Sequence, residues 1–258
     1  MTHSDNPPGA GEPHGNRDPE APTSPPPEPG FGLRTGIVLK TLAGCILALI
    51  ALHMMTMVSR FGFGEDYLMG IIWRLDLGAE GNLPTYFSAL QLLFAAVLLS
   101  ICAAECKSNR RPYANHWVGL AVIFVILSID EAALIHEGVQ TLVRMVFATD
   151  GVFASAWIIP YGAFVIIIGL TYFRFLLSLP GRIGLIFTLS GAVFVFGAIG
   201  LETFGDVIAE AHGKQSFDYM VSVTIEEILE LAGCYGFVYG LLMYLTLDGR
   251  HLGICFVK

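Results

Sequence analysis

Apolar positions in this chain fall in long unbroken runs rather than in the alternation of a half-buried strand or the one-sided spacing of an amphipathic helix. Six runs, at about residues 36–58, 84–106, 116–138, 154–174, 183–208 and 219–246, reach the ~18 to 20 residues that carry an α-helix across a bilayer. The pattern predicts an all-α fold, a polytopic membrane bundle of about six transmembrane helices. Between the first two runs, residues 61–83 interleave Phe63, Tyr67, Leu68, Ile71, Ile72, Trp73 and Leu75 with acidic residues, which reads as an interfacial helix over one mouth of the bundle.

Composition agrees with a lipid-facing surface. The 258 residues are 54% hydrophobic and 14% charged, against roughly 25% charged in an ordinary soluble domain. Residues 1–34 differ in kind: they hold nine of the thirteen prolines and almost nothing apolar to bury, as expected of a disordered, Pro-rich cytoplasmic tail. The transmembrane domain then covers 35–248, with a short cytoplasmic tail at 249–258. The first run, beginning near Ile37, is too long for a cleavable signal and is expected to remain as an anchor. Much of the net charge of −8 sits in the first tail, and no basic patch offers a surface to nucleic acid, leaving membrane lipid as the expected partner. The five cysteines form no CxxC pair, and Cys102 and Cys106, at i, i+4, read as small packing residues.

Lys and Arg set the orientation. With the amino terminus inside, ten of the fourteen fall on the cytoplasmic side, and only Arg60, Arg74, Arg144 and Lys214 lie outside. That asymmetry predicts a cell (inner or plasma) membrane protein with both termini cytoplasmic and with 61–83, 145–153 and 209–218 facing outward. Trp117, Trp157 and Tyr219 are expected at the membrane interfaces.

Acidic residues that a plain anchor would not carry concentrate in three spans. Asp130, Glu131, His136 and Glu137 lie in the third, Glu202 and Asp206 in the fifth, and Glu226, Glu227 and Glu230 in the sixth. Seven residues separate Asp130 from Glu137, so a continuous helix shows both on one face, and the i, i+4 pairs Glu202/Asp206 and Glu226/Glu230 make two further stripes. An ionisable side chain facing lipid costs ~2.5 kcal/mol or more, so the stripes are expected to face each other in the outer half of the membrane. Two carboxylates about 4 Å apart repel by ~4 kcal/mol at an effective dielectric of about 20, so a compensating multivalent cation or shared protons are required. These nine residues are therefore the candidate ligands of one or two divalent metal ions, with Glu131 or Glu227 as candidate general base. The plainer alternative ends the third span at Ile129, with a solvated helix beyond, and lets Glu226 and Glu227 open a helix at its favourable end. His53 with Met54, Met55 and Met57 is a weaker, copper-like set. Pro160 should start or kink the fourth span, Tyr161 would bring a phenol to the acids, and Gly191, Gly197 and Gly200 would let the fifth helix pack closely.

Four segments, Leu83–Ser88 (LPTYFS), Ser128–Glu131 with His136-Glu137, Gly200–Glu202, and Glu226–Glu230, together resemble an uncharacterised family of bacterial six-span membrane proteins. The resemblance spans about residues 60–246 and implies a six-span fold in a prokaryotic membrane, without supplying an activity. Di-metal carboxylate bundles use Glu-x-x-His ligands, and no such pair occurs here. The leading functional expectation is a metal-dependent enzyme acting on a lipid or lipid-linked substrate at the acidic site. A proton-coupled or cation transporter and a sensor or assembly subunit are the alternatives; no inverted repeat supports transport.

Overall fold

The computed structural model describes residues 1, 31–65, 67–146, 157–248 and 254–257. The expected tail (2–30), residues 147–156, which include most of a loop expected to face outward, and residues 249–253 lie outside the described residues. Nine α-helices are described: α1 (Thr35–Phe63), α2 (Ile71–Leu75), α3 (Leu83–Ser108), α4 (Ala114–Ala133), α5 (Ile135–Val146), α6 (Ile158–Ser178), α7 (Gly181–Val195), α8 (Glu202–His212) and α9 (Phe217–Asp248). A π-helical turn, Phe196–Leu201, joins α7 to α8 so that they run as one 32-residue helix, and six helices are then long and apolar enough to cross a membrane. Two strands, β1 (Phe31–Arg34) and β2 (Ile254–Val257), pair in parallel before α1 and after α9, so both ends of the helical domain meet on one face of the bundle.

Local chemistry sets the element ends. Gly64 closes α1 in the left-handed region (φ 72°), returning its N–H to the Ser59 carbonyl, a conformation glycine adopts without a side-chain penalty. Asn82 caps α3 by accepting from the Thr85 N–H, and Pro84 follows in the first turn, where its missing N–H costs nothing. The interfacial helix expected between the first two spans is only the five residues of α2. Among the described residues, the rest of that connection is the end of α1, a 3-10 turn at Leu68–Gly70 and further turns, and Ile72 of α2 and Asp76 and Leu77 beyond it are buried.

Packing is uneven along the bundle. At the end where α3 finishes and α4 begins, Leu98, Leu99, Cys102, Trp117, Phe175, Ile183, Phe187, Val238, Leu241 and Leu245 form a continuous core. Trp117 is only 1% exposed, against Phe175, Phe187 and Tyr244, so it is a core residue and not the interfacial anchor expected of it; Trp157 is likewise buried. Cys102 and Cys106 belong to this core as packing residues. The close helix seam is between α7 and α9, and its glycines sit mainly on α9. A methyl on Gly233 would fall 2.7 Å from the Phe194 N, and one on Gly236 would fall 2.5 Å from the Ser190 Oγ. Of the three glycines expected to form the seam, only Gly197 packs on α9, where an added methyl would fall 3.1 Å from the Glu226 carbonyl oxygen. Space is open at Gly191, while Gly200 meets only its own helix's Phe196.

Candidate functional site: an acidic chamber

At the opposite end from this core the helices separate. α4 stops at Leu134, which adopts φ 54° and returns its N–H to the Asp130 carbonyl. The left-handed residue breaks the helix, so the expected third span to residue 138 ends at Ala133, and the single Asp130/Glu137 face of a continuous helix is not formed. The side chain of Glu137 lies outside the described residues. The break instead turns α5 back so that His136 stands beside Asp130, Nδ1 to Oδ2 at 3.7 Å, with its Nε2 3.4 Å from Oε1 of Glu80. Burial works against the charged imidazolium, but hydrogen bonding and attraction from Asp130 and Glu80 outweigh it and hold the His136 pKa up at about 10. Glu80 is a site residue that sequence reasoning missed: it lies in a turn, and no periodicity points to it.

The first turns of α6 reach the same place. Tyr161 donates its hydroxyl to Oδ1 of Asp130 at 3.0 Å, and Trp157 donates its indole N–H to Oε1 of Glu202 at 2.9 Å. Their rings pack 4.9 Å apart, and Trp157 also meets His136 at 5.5 Å. Tyr161 therefore brings its phenol to the acids as expected, and Trp157, expected only as an interfacial aromatic, is a second residue of the site.

The π-helical turn re-phases the fifth span. One added residue in the turn rotates everything beyond it, and α8 then presents Glu202, Gly205, Asp206 and Glu210 to the same cavity as Glu226, Glu227 and Glu230 of α9. The acids form one electrostatic group. Glu227 faces Glu230, Glu131 and Glu80; Glu230 faces Glu131, Glu226 and Glu202; and Glu226 faces Glu202, Glu227 and Asp206. Glu131 hydrogen-bonds Ser88. Among the described residues, no side chain is hydrogen-bonded to Glu227 or Glu230.

These residues form one end of a chamber of about 1040 Å³ lined by α4, α6, α7, α8 and α9. The acidic end carries nine carboxylates (Glu80, Asp130, Glu131, Glu202, Asp206, Glu210, Glu226, Glu227, Glu230), with His136 and Lys214 as the basic residues. The remaining wall is apolar and aromatic, with Phe124, Phe164, Ile168, Leu176, Phe187, Phe194 and Phe237. Only Ile158, Tyr172 and Phe175 of α6 are buried, while Ile166 and Ile167 in its middle turns are 65% and 60% exposed. The chamber is thus walled on one side by a helix that touches its neighbours mainly near its ends.

His53 is accounted for by the fold. Its Nδ1 accepts from the Leu77 N–H at 3.0 Å, and its Nε2 donates to Oγ1 of Thr224 at 2.8 Å, whose own proton goes to the Met220 carbonyl. Asp76 lies beside it, paired with Arg60 at 3.4 Å. The ring ties the α2–α3 connection to α9, and Met54 and Met55 point away, 39% and 68% exposed, so the copper-like set is not assembled.

For the divalent ions expected from the sequence, the donor set is suitable but its arrangement is not. Among the described residues, no three His, Cys, Asp or Glu side chains form a group that could hold a metal ion. The carboxylates line a chamber instead of closing on a point.

The fold and the site together define a multi-pass integral membrane protein, a six-helix bundle enclosing an acidic-ended chamber. Residues 41–245 match the family described as "Domain of unknown function (DUF8692)", and the chain belongs to that family. No curated protein and no solved structure matches it.

Proposed function

We propose that this protein takes an amphipathic, lipid-like molecule from the bilayer into the chamber, seating its polar end among the carboxylates and its chain along the aromatic wall. The observation that carries the reading is the continuity of one cavity from nine carboxylates to an apolar wall. Crowded carboxyls are relieved by positive charge and their ionised members accept hydrogen bonds, so the matching head group is a cationic one or one rich in donors, such as an amine or a polyol; a bare phosphate is opposed. A cavity of this size stands at the upper end of the range for small-molecule sites, about 1,000 Å³, and has room for a lipid or a lipid-linked molecule. Each methylene buried along the wall contributes about 0.8 kcal/mol.

An acid–base enzyme acting on the same ligand is the second reading, favoured by the Asp130–Tyr161 hydrogen bond. Glu131 or Glu227 would serve as general base. No step of either reading is routed through a metal.

Native mass spectrometry of the protein released from lipid nanodiscs tests the proposal. The wild type is expected to retain an amphiphile. Gly191→Leu, which finds open space next to the backbone and projects into the chamber, is expected to weaken retention at unchanged thermal stability. Equal retention by both proteins, or none by either, defeats the reading. A chemically altered amphiphile favours the enzyme, and stoichiometric divalent metal in the purified protein would restore the metal-dependent expectation.

A further inference from the structure

A second cavity lies outside the chamber, on the outer seam of α3 and α4. It is a groove of about 420 Å³, floored by the buried Ala103 and Ala121 and walled by Ser100 and Ala104 on one side and by Val118, Val122 and Val125 on the other. Ser100 donates its hydroxyl to the Ala96 carbonyl at 2.9 Å, so its polarity is taken up within its own helix and the slot is apolar. α4 turns this stripe outward and a different one, Leu120, Ile123 and Leu127, into the chamber, so the two cavities lie on separate faces of one helix. From Val118 to Ile126 the groove follows α4 for about 12 Å, most of one leaflet of a ~30 Å hydrocarbon core.

The groove ends in positive charge, at the opposite end of the bundle from the acids. Lys107, exposed in the last turn of α3, lines that end. The next residues fold back over it: the Arg110 N–H bonds the Lys107 carbonyl at 3.2 Å and the Arg111 N–H bonds the Cys106 carbonyl at 2.8 Å, with Arg110 in the left-handed region at φ 51°. These bonds, with the Asn109 side-chain amide on the Glu105 carbonyl, occupy the last carbonyls of α3 and weaken the negative end of its dipole. No side chain caps the first turn of α4 just beyond, so the positive end of that helix stands open at the same place. Glu105, the one carboxylate of α3, is 5% exposed and is not part of the groove wall. Lys107, Arg110 and Arg111 are all exposed, so the surface where the groove opens is positive.

We propose that the α3–α4 groove is a binding site for one anionic phospholipid, with an acyl chain in the apolar slot and the phosphate at Lys107 and the basic turn. Charge complementarity selects this occupant. A zwitterionic lipid would bring an ammonium as well as a phosphate to three cations. A second copy of this chain is the other occupant that the Ser100/Ala104 small-residue spacing would suit, but a parallel two-fold copy would set Lys107 against its own counterpart. The site differs from the chamber in place and in sign, since the chamber's nine carboxylates oppose a phosphate. The inference goes beyond uptake of an amphiphile into the chamber and does not depend on it.

Native mass spectrometry of the purified full-length protein, with phosphatidylglycerol or phosphatidylcholine of the same chains added in a neutral detergent, tests the assignment. The wild type is expected to hold one phosphatidylglycerol at least fivefold more tightly than phosphatidylcholine. Lys107→Gln should weaken phosphatidylglycerol binding about fivefold, the effect of one cation near an anionic head group. Ala104→Leu, which keeps every charge and fills the slot, should weaken it by as much. Both residues are exposed, so thermal unfolding of the variants in lipid-free detergent should match the wild type, and if one of them unfolds early the other decides. Equal affinity for the two lipids, or Ala104→Leu binding like the wild type, overturns the site. A dimer that Ala104→Leu dissociates also overturns it, because a second copy would then cover the groove. Glycerol phosphate, which has no chains, is expected not to bind at concentrations that saturate the lipid site, and binding as tight as the lipid's would overturn the role of the slot. Neither Lys107 nor Ala104 lines the chamber, so retention of an amphiphile there should be unchanged in both variants, and failure of the groove and failure of uptake are read separately.

Discussion

His136 is the point at which electrostatics at the chamber mouth can be measured. Its pKa of about 10 in the folded protein, against 6.5 for the free side chain, would correspond at 1.36 kcal/mol per pH unit to about 5 kcal/mol. Two features reduce that figure. The Glu80 side chain is 41% exposed, and the nitrogen–oxygen separations of 3.4 and 3.7 Å are long for direct hydrogen bonds. Screening by water leaves about 1–2 kcal/mol. The folded pKa is raised, so this stabilisation is fully present below pH 6.5 and is lost as pH rises through about 10. At about 2–4 °C per kcal/mol for a domain of this size, His136→Gln should lower the Tm by roughly 2–8 °C at pH 6. The difference between wild type and variant, followed by intrinsic fluorescence in detergent, should shrink toward zero by about pH 10.5, since groups common to both proteins cancel. A variant that melts with the wild type at pH 6, or a difference that does not change with pH, would refute the pairing of His136 with Asp130 and Glu80.

Further outcomes follow from other parts of the molecule. Glu227→Gln should raise the Tm at neutral pH, because it relieves repulsion from Glu230 and Glu131 without removing a recorded hydrogen bond; a lower Tm would mean that the charge is compensated. Gly233→Ala should cost about 1–3 kcal/mol, since the new methyl meets the Phe194 backbone, whereas Gly169→Ala, with open space around it, should be close to neutral in the same melting assay. Asn82→Ala should lose the α3 cap and about 1 kcal/mol, and hydrogen exchange should rise first in the Leu83–Ser88 turn.

Much of the fold is legible in the sequence because crossing a bilayer demands length and apolarity, and both are properties of contiguous residues. The six runs are recovered as six helices. The acids of α9 and α8 are also legible in part, since i, i+4 spacing on an unbroken helix places Glu226 with Glu230 and Glu202 with Asp206 whatever surrounds them. Periodicity fails where the helix does. A left-handed Leu134 redirects α5 and gives His136 to Asp130 with no glycine or proline to signal it, and a π-helical turn that contains Gly197 and Gly200 rotates α8. Glu80, which no run or spacing marks, and Trp157, which its run marks only as an aromatic near the end of a span, enter the site because a turn and the start of α6 lie over the same mouth. The distinction between a closed ligand set and a wide chamber is likewise tertiary. Sequence determines which helices carry carboxylates, but the distances between those carboxylates depend on how α4, α8, α9 and the turn that carries Glu80 stand relative to one another, and that is set by packing.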